Sequence, residues 1–389
     1  GALRAGRAGR GGRARAISNW RNAAGSCAKG RTGIACGNCM PNHYAADNGE
    51  CLPCGEVDFA PGITTASATT LLMVPLWYYA TSKVSHQQLT TVTAAISMGQ
   101  LVATVQMLGA FKELDIMWDE PIHSLLNFMD FFAFDLDILR MQCFFSKDDP
   151  LVNFAFTLMM FPAFMAVLAA VMKIGELCGR GSLSLDGYFN SVGLVATMIF
   201  ISYTMLVFRP LHCLVNPNGS SSMASNAAVV CWESPEHTWL VVLGILAILA
   251  YPVLILAMVV QITLRYPSLV VSGKGLASIA QYRFLFGRFT SDCYFWGVWN
   301  LMRNLMITLA PVIFSNSPFG QVISIECVLL ISHTGTCYFM PWRTKSANKS
   351  DLATSFALSM FILVAALLVD VSRGGKHCLL NRRYSHCCR

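Results

Sequence analysis

Two groups of residues in this chain have types and spacings that can do chemistry. The first is a run of cysteines: Cys27, Cys36, Cys39, Cys51 and Cys54 stand close together among Gly, Asn and Pro. Cys36 with Cys39 and Cys51 with Cys54 form two Cys-x-x-Cys pairs, which four thiolates could turn into a tetrahedral zinc site. The eleven residues between the pairs are fewer than a zinc ribbon uses, and disulfide pairing is the competing chemistry. A segment this small, with almost no apolar residues, needs a staple of one kind or the other. The second group is polar and sits inside apolar runs: Gln100, Arg303, Gln321, Glu326 and His333. A charge in such a run costs about 2.5–3.5 kcal/mol on insertion scales and requires a partner or a wet cavity.

Arg303 and Glu326 lie in consecutive apolar runs joined by the short hinge Ser315-Asn316-Ser317-Pro318. Helices joined so tightly are antiparallel neighbours. At about 1.5 Å per residue in a core about 30 Å thick, the two Cα levels differ by about 6 Å. Long side chains can cover that gap, so the two charges are expected to meet. The competing expectation is that Arg303 reaches back to the headgroups while Glu326 stays protonated.

These positions belong to elements that only a membrane explains. Of 389 residues, 54% are hydrophobic and 13% charged, with mean hydropathy +0.51. A soluble domain carries about 25% charged residues. Apolar runs of 18 or more residues read as membrane-crossing helices, because the bilayer core leaves no water for backbone groups. The fold class is therefore all-α: a polytopic helix bundle of about eight spans behind a small disulfide-rich N-terminal module. The spans are expected near Thr64–Ala80, Leu89–Phe111, Asn153–Lys173, Val192–Phe208, Trp239–Leu264, Phe295–Phe314, Phe319–Met340 and Leu352–Val371.

The chain divides accordingly into a basic low-complexity stretch at 1–22, a cysteine-rich module at 23–60, a multispan domain at 61–371 and a basic, cysteine-containing tail at 372–389. The net charge of +7 owes much to five arginines in the first sixteen residues. Such a run cannot fold alone. It could bind nucleic acid or anionic lipid, but with no starting Met and no signal-type apolar core an incomplete N-terminus is the expectation, and no nucleic-acid partner. Lys and Arg favour the cytoplasmic side of short loops. Lys83, Lys173, Arg180, Arg265, Lys274, Arg283, Arg288, Arg343, Lys345 and Lys349 all fall in alternate loops. The opposite loops hold the acidic 112–150 stretch, the uncharged hinge, and a loop free of Lys and Arg with Cys213, Cys231 and a glycosylation sequon at Asn218. An oxidising side suits those cysteines and that sequon, so Cys213 and Cys231 are expected to bond. The cysteine-rich module then lies extracellular or lumenal, and the plasma membrane is the expected location. The basic termini argue against this orientation.

A resemblance supports the same architecture. Cys27, Gly33, Cys36, Cys39, Tyr44, Gly49, Cys51 and Cys54 follow the order of laminin-type EGF-like and ephrin-receptor-like modules. Gln100, Trp118, Pro121, Phe134, Asp135, Leu136, Cys143, Cys213, Cys231, Tyr282, Trp296, Arg303, Gln321, Pro341 and Asn348 follow in an order similar to large multispan proteins of dinoflagellates, oomycetes and ciliates. These are distantly similar to transient-receptor-potential-like proteins. The resemblance implies multiple spans and favours disulfides over zinc. Gly297 departs from it, standing where an acidic residue is expected.

Other chemistry is weaker. Asp115, Asp119, Glu120, Asp130, Asp135 and Asp137 are oxygen ligands of the kind calcium takes, but they lack EF-hand spacing, and an interfacial amphipathic helix explains them. Gly273-Lys274-Gly275 lacks the rest of a phosphate loop, and no nucleophile elbow or HExxH occurs. Neither an enzyme nor a bound cofactor is expected. Intramembrane polar residues point to a channel- or transporter-like protein that handles an ion. The alternative is a receptor or adhesion protein that takes an extracellular ligand through its cysteine-rich ectodomain.

Overall fold

In the computed structural model, residues 30–32, 38–45, 50–55, 89–114, 116, 118, 120, 122–132, 143, 149–177, 185–216, 219–271 and 281–385 are described. The expected span at Thr64–Ala80, Cys27, Cys36 and the sequon at Asn218 lie outside them, as do Asp115, Asp119, Asp135 and Asp137 of the acidic stretch.

The described chain is a helix bundle capped at one end by small sheets. Its helices are α1 (Leu89–Lys112), α2 (Ile122–Phe132), α3 (Pro150–Leu177), α4 (Leu185–Met198), α5 (Phe200–Phe208), α6 (Pro235–Ile248), α7 (Leu254–Val271), α8 (Arg283–Phe286), α9 (Trp296–Ile313), α10 (Pro318–Phe339) and α11 (Lys345–Ser385). Proline at the first helical position starts α3, α6 and α10, where its missing N–H leaves no bond unmade. Ser234 and Ser317 cap α6 and α10 by accepting from the backbone N–H of His237 and Gly320, each at 3.2 Å.

Two irregularities shape the middle of the bundle. α6 runs into α7 through a π-helical segment, Leu249–Val253, that contains Pro252. Proline has no N–H to give its own turn, and a π-bulge accommodates the loss without ending the helix. α4 and α5 are separated at Ile199 by a 61° bend. The Tyr251 hydroxyl, in the π segment, donates to the Ala196 carbonyl beside that bend at 2.9 Å, and so ties the two irregular points together.

α9 is the hub, packed against α1, α5, α7 and α10, while α11 lies against α10 and α1. One apolar core joins Phe200, Tyr203, Val207, Tyr251 and Val259 to Leu301 of α9. A second joins Met107 and Phe111 of α1 to Ile307, Ile325, Leu329 and Ile362. Large apolar side chains also cover the outside of the helices, among them Met98, Met159, Leu246, Leu264 and Ile331. A water-facing surface does not carry so many.

Four helical segments are long and apolar enough to cross a membrane: Thr93–Lys112, Pro150–Val171, Pro235–Val271 and Pro318–Phe339. The bent α4–α5 pair makes a fifth if counted as one span. Among the described residues that is fewer than the eight expected. Part of the difference is α9, where Asn300, Arg303, Asn304 and Thr308 dilute the apolar residues along one face.

The sheets gather at one end. β1 (Arg31–Thr32) pairs with β2 (Asn38–Cys39), and β3 (His43–Ala45) pairs with β4 (Cys51–Pro53), both antiparallel. β5 (Cys213–Val215), β6 (Ser221–Met223) and β7 (Asn226–Val230) form an antiparallel sheet, and β2 lies against β7. Disulfides join Cys39 to Cys51, Cys54 to Cys143 and Cys213 to Cys231. Disulfide bonds are thus the staple formed by the described cysteines of the N-terminal module. Cys143 is the partner that local spacing could not supply, at a sequence separation of 89. His237 Nδ1 accepts from the Trp232 N–H at 3.1 Å and its Nε2 faces the Pro210 carbonyl at 3.0 Å, which pins the sheet to the top of α6.

Digestion of unreduced protein is expected to release a cross-linked Cys54–Cys143 peptide and a Cys213–Cys231 peptide, identified by mass; free thiols at these positions would contradict the pairing. Replacing Cys213 and Cys231 together by Ser is expected to cost about 3 kcal/mol of stability, the chain-entropy value for a loop of this length.

Candidate functional site

Polar side chains in the bundle face one another across the helix interfaces. On α9, Asn300, Arg303, Asn304 and Thr308 recur at three- and four-residue spacing and therefore share a face. On α11, Asp351, Ser355 and Ser359 recur every fourth residue, and all three are buried. α10 packs between these two faces and meets α11 in successive polar rungs. Thr336 Oγ1 donates to Asp351 Oδ2 at 3.0 Å, His333 Nδ1 lies 2.8 Å from Ser355 Oγ, and Glu326 faces Ser359. Ser355 gives its own proton to the Leu352 carbonyl at 3.1 Å, so the His333 nitrogen is the donor in that rung.

Asp351 organises the end of this ladder away from the sheets. Its Oδ2 also accepts from Trp342 Nε1 at 3.0 Å. Asn348, one turn earlier, accepts from the Trp342 N–H at 3.1 Å and donates to the Trp342 and Thr344 carbonyls at 2.9 and 3.2 Å. Thr344 caps α11 by accepting from the Ala347 N–H at 3.4 Å. α1 joins through Gln100, whose Nε2 donates to the Ala347 carbonyl at 3.0 Å. The turn between α10 and α11 is thus held by side chains that a plain apolar span would lack, together with backbone bonds from the Thr290 N–H to the Pro341 carbonyl and from the Arg343 N–H to the Arg288 carbonyl.

Arg303 does not meet Glu326. Its Nη1 donates to Ser332 Oγ at 3.4 Å, its Nε and Nη2 both reach Asn304 Oδ1 at 3.3 Å, and its charged neighbour is Asp351. Ser332 lies six residues beyond Glu326 on α10, about 9 Å along the axis. The two helices are antiparallel neighbours, as the hinge requires, but their register sets Arg303 opposite a lower turn. Glu326 is half-buried and its Oε2 has no hydrogen-bond partner. Gln321 is fully buried and closes the hinge by donating to the Phe314 carbonyl at 3.1 Å. Of the five intramembrane polar residues singled out in the sequence, Gln100 and Arg303 come together around one cavity. Gln321, Glu326 and His333 do not line it.

That cavity has a volume of about 80 Å³ and lies between α1, α4, α9 and α11. Gln100, Gln106, Asn300, Arg303, Asp351 and Arg288 are among its lining residues. Gln106 is 1% exposed, and neither atom of its amide has a partner. Gln100 Oε1 and Asn300 Oδ1 are also buried without one. An unsatisfied buried amide costs about 1–3 kcal/mol, so four such atoms at one cavity are expensive as pure scaffolding. Arg288 enters from the other side, its Nε donating to the Phe284 carbonyl at 2.9 Å and its Nη2 to Thr197 Oγ1 at 3.3 Å. Gly297, where an acidic residue was expected, also lines the cavity. A Cβ there would collide with the end of the Leu285 side chain, so a larger residue at this position requires Leu285 to move.

Two weaker candidates are structural. Cys213, Cys231 and His237 cluster closely enough to hold a metal, but the thiols are bonded to each other and the imidazole is occupied. In the acidic stretch, Glu120 accepts from the Ser124 hydroxyl at 2.6 Å and its backbone N–H at 3.3 Å. The hydroxyl bond is the main influence holding that exposed carboxyl below its ordinary range. A helix N-terminus stabilised by an acid accounts for it.

No protein-family model, curated protein or solved structure matches this chain.

The register makes a quantitative expectation. Arg303→Met and Asp351→Leu are expected to couple, the double variant being less destabilised than the sum of the singles by about 0.5–3 kcal/mol. Arg303→Met with Glu326→Leu is expected to be additive within about 0.5 kcal/mol. Unfolding of the purified variants measures both. Coupling to Glu326 in place of Asp351 would contradict the register.

Proposed function

We propose that this polytopic membrane protein is channel- or transporter-like, and that it passes a small polar or charged solute along the polar seam between α1, α9, α10 and α11. One observation carries the reading: a cavity inside the bundle lined by two guanidinium groups, a carboxylate and amides with four buried atoms, on Gln100, Gln106 and Asn300, that have no protein partner. Intramembrane ionisable residues that face a cavity are the usual mark of a solute path. In this reading α9 and α11 also cross the membrane. They are shielded from lipid on their polar faces, which is why they are less apolar than the outer helices.

The disulfides support the expected orientation. Bonded cysteines share a side of the membrane, so the crossings between Cys54 and Cys143 must be even in number. α1 supplies one, and the sequence expects another at Thr64–Ala80, outside the described residues. α3 and the α4–α5 pair then return the chain to the same side at Cys213. The opposite end holds Arg283, Arg288, Arg343, Lys345 and Lys349, in keeping with the preference of basic loops for the cytoplasm. The resemblance to protist multispan, transient-receptor-potential-like proteins suggests the same arrangement, with the plasma membrane as its place.

A receptor or adhesion role is the second reading. It is favoured by the contact of β2 with β7, which joins the EGF-like module to the β5–β7 sheet as one outer cap. A ligand would then bind outside a bundle that conducts nothing.

Reconstitution into liposomes separates the two. Flux of small ions or polar solutes, reduced at least tenfold in Asn304→Leu, is expected. A well-folded protein that passes none of a panel of monovalent ions and small polar solutes would contradict the transport reading and leave the receptor.

A further inference from the structure

We infer that Trp232 and Trp239 form an anchor that seats the β5–β7 sheet on the headgroup layer of the membrane. The lipid this anchor fits is zwitterionic, with a quaternary ammonium at its outer end. The inference rests on the apolar helices as membrane spans and owes nothing to the transport reading.

Placement makes the first case. Trp239 opens the second turn of α6 and is 63% exposed. Val242, Leu246 and Leu249 follow it at three- and four-residue spacing, also exposed, while His237, Leu240 and Gly244 on the other face are buried. Trp239 therefore heads a lipid-facing stripe. Trp collects at that level in membrane proteins because its ring is apolar and its N–H needs a polar partner. α10 fixes the level independently. Its outward face carries Phe319, Ile323, Leu330 and Tyr338. Nineteen residues separate the rings of Phe319 and Tyr338, about 29 Å of helix, which matches a bilayer core of about 30 Å. Tyr338 lies just before Arg343, at the end of the basic loops, so Phe319 marks the interface on the side of the sheets.

Backbone conformation makes the second. Trp232 has a φ of 63°, in the left-handed region that a bulky residue takes only where its surroundings dictate it. Here Cys231 before it is held by its disulfide, and the Trp232 N–H donates to His237 Nδ1 at 3.1 Å. Glycine would adopt this backbone freely. The position instead carries an indole that is 68% exposed and meets the His237 ring edge-on, the centroids 5.0 Å apart. His237 precedes Trp239 by two residues, about 3 Å along α6, so both indoles lie near one depth. A ring held outward at that depth by a strained residue suits the boundary between lipid and water.

Charge makes the third, and selects the lipid. No Lys or Arg occurs from Pro210 to Trp239, so this edge has nothing to offer an anionic headgroup. Glu233 and Glu236, both exposed, stand next to the two rings in sequence. A quaternary ammonium is attracted to carboxylates and to the faces of indoles alike. Phosphatidylcholine presents that group at the outer edge of the bilayer.

The test uses the full chain, labelled with fluorotryptophan, in phosphatidylcholine nanodiscs. Trp232→Phe and Trp239→Phe each remove one fluorine NMR signal and so assign the pair. Spin labels on the lipid headgroup, or near the top of the acyl chain, are expected to broaden both signals. That broadening should exceed several-fold the effect of a label at the chain end or of a water-soluble paramagnetic chelate. A Trp232 signal broadened by the chelate and untouched by the lipid labels would overturn the anchor, leaving the ring free for an extracellular partner. The same result for Trp239 would overturn the level assigned to the interface, and the anchor with it. Exchange of phosphatidylcholine for phosphatidylglycerol is expected to lessen the lipid effect on Trp232. An equal or larger effect in phosphatidylglycerol would overturn the choice of headgroup.

Discussion

A bilayer offers no hydrogen-bond partners, and Arg303 finds its own within the bundle, in Asn304 beside it on α9 and in Ser332 of the neighbouring α10. Much of the bundle can be derived from that constraint. The helix that carries Arg303 also carries Asn300, Asn304 and Thr308 on the same face, and it sits at the centre, against α1, α5, α7 and α10. Its neighbours turn their own polar groups inward: Ser332 from α10, Asp351 from α11, Gln106 from α1. Their apolar groups, such as Met98, Leu246 and Ile331, turn outward. This is the reverse of a soluble protein, and the bilayer is the solvent that makes it the lower-energy arrangement.

Regular helices alone would pack that centre closed. The 61° bend between α4 and α5 ends at the cavity wall, and the π segment around Pro252 is tied to the same bend through Tyr251. Irregular backbone at membrane depth is tolerated where it lies buried in protein or lines a wet space. Here each departure from helical geometry has a side-chain hydrogen bond or a cavity beside it. The corner between α10 and α11 behaves similarly: Met340 takes a left-handed conformation with φ of 45°, and Asn348 and Asp351 hold the turn that follows by bonding Trp342.

Much of the architecture could be read from the sequence, because apolar length is a local property. The hinge at 315–318, the Cys213–Cys231 pair and the polar positions of α1 and α9 all follow from residues near one another in the chain. What could not be read was register. The partner of Arg303 depends on how far α10 slides past α9, and that is decided by Trp299 and Trp296 packing on Ser332 and Gly335, contacts with no local signature. Cys54 pairs with Cys143 across a separation of 89 residues, beyond what spacing within the cysteine-rich module can suggest. One signal was available and unused. Asp351, Ser355 and Ser359 stand at four-residue intervals in the first turns of α11, a polar stripe running into its apolar stretch, and such a stripe announces a facing polar partner. The span expected from Leu352 began one residue too late to include its most important member.

The account stands on a wet polar centre in a bundle that is otherwise dry. The direct measurement is cysteine accessibility in membranes, with the nine cysteines outside the three disulfides (Cys27, Cys36, Cys178, Cys293, Cys327, Cys337, Cys378, Cys387 and Cys388) replaced and a single new cysteine placed in turn at Asn304 and at Ile331. A small charged thiol reagent added from the side of the basic loops is predicted to modify Asn304→Cys. The lipid-facing Ile331→Cys should remain unreactive to it while reacting with an apolar reagent. If Asn304→Cys is as unreactive as Ile331→Cys, the centre is dry, and Arg303 is a packing residue with no path beside it.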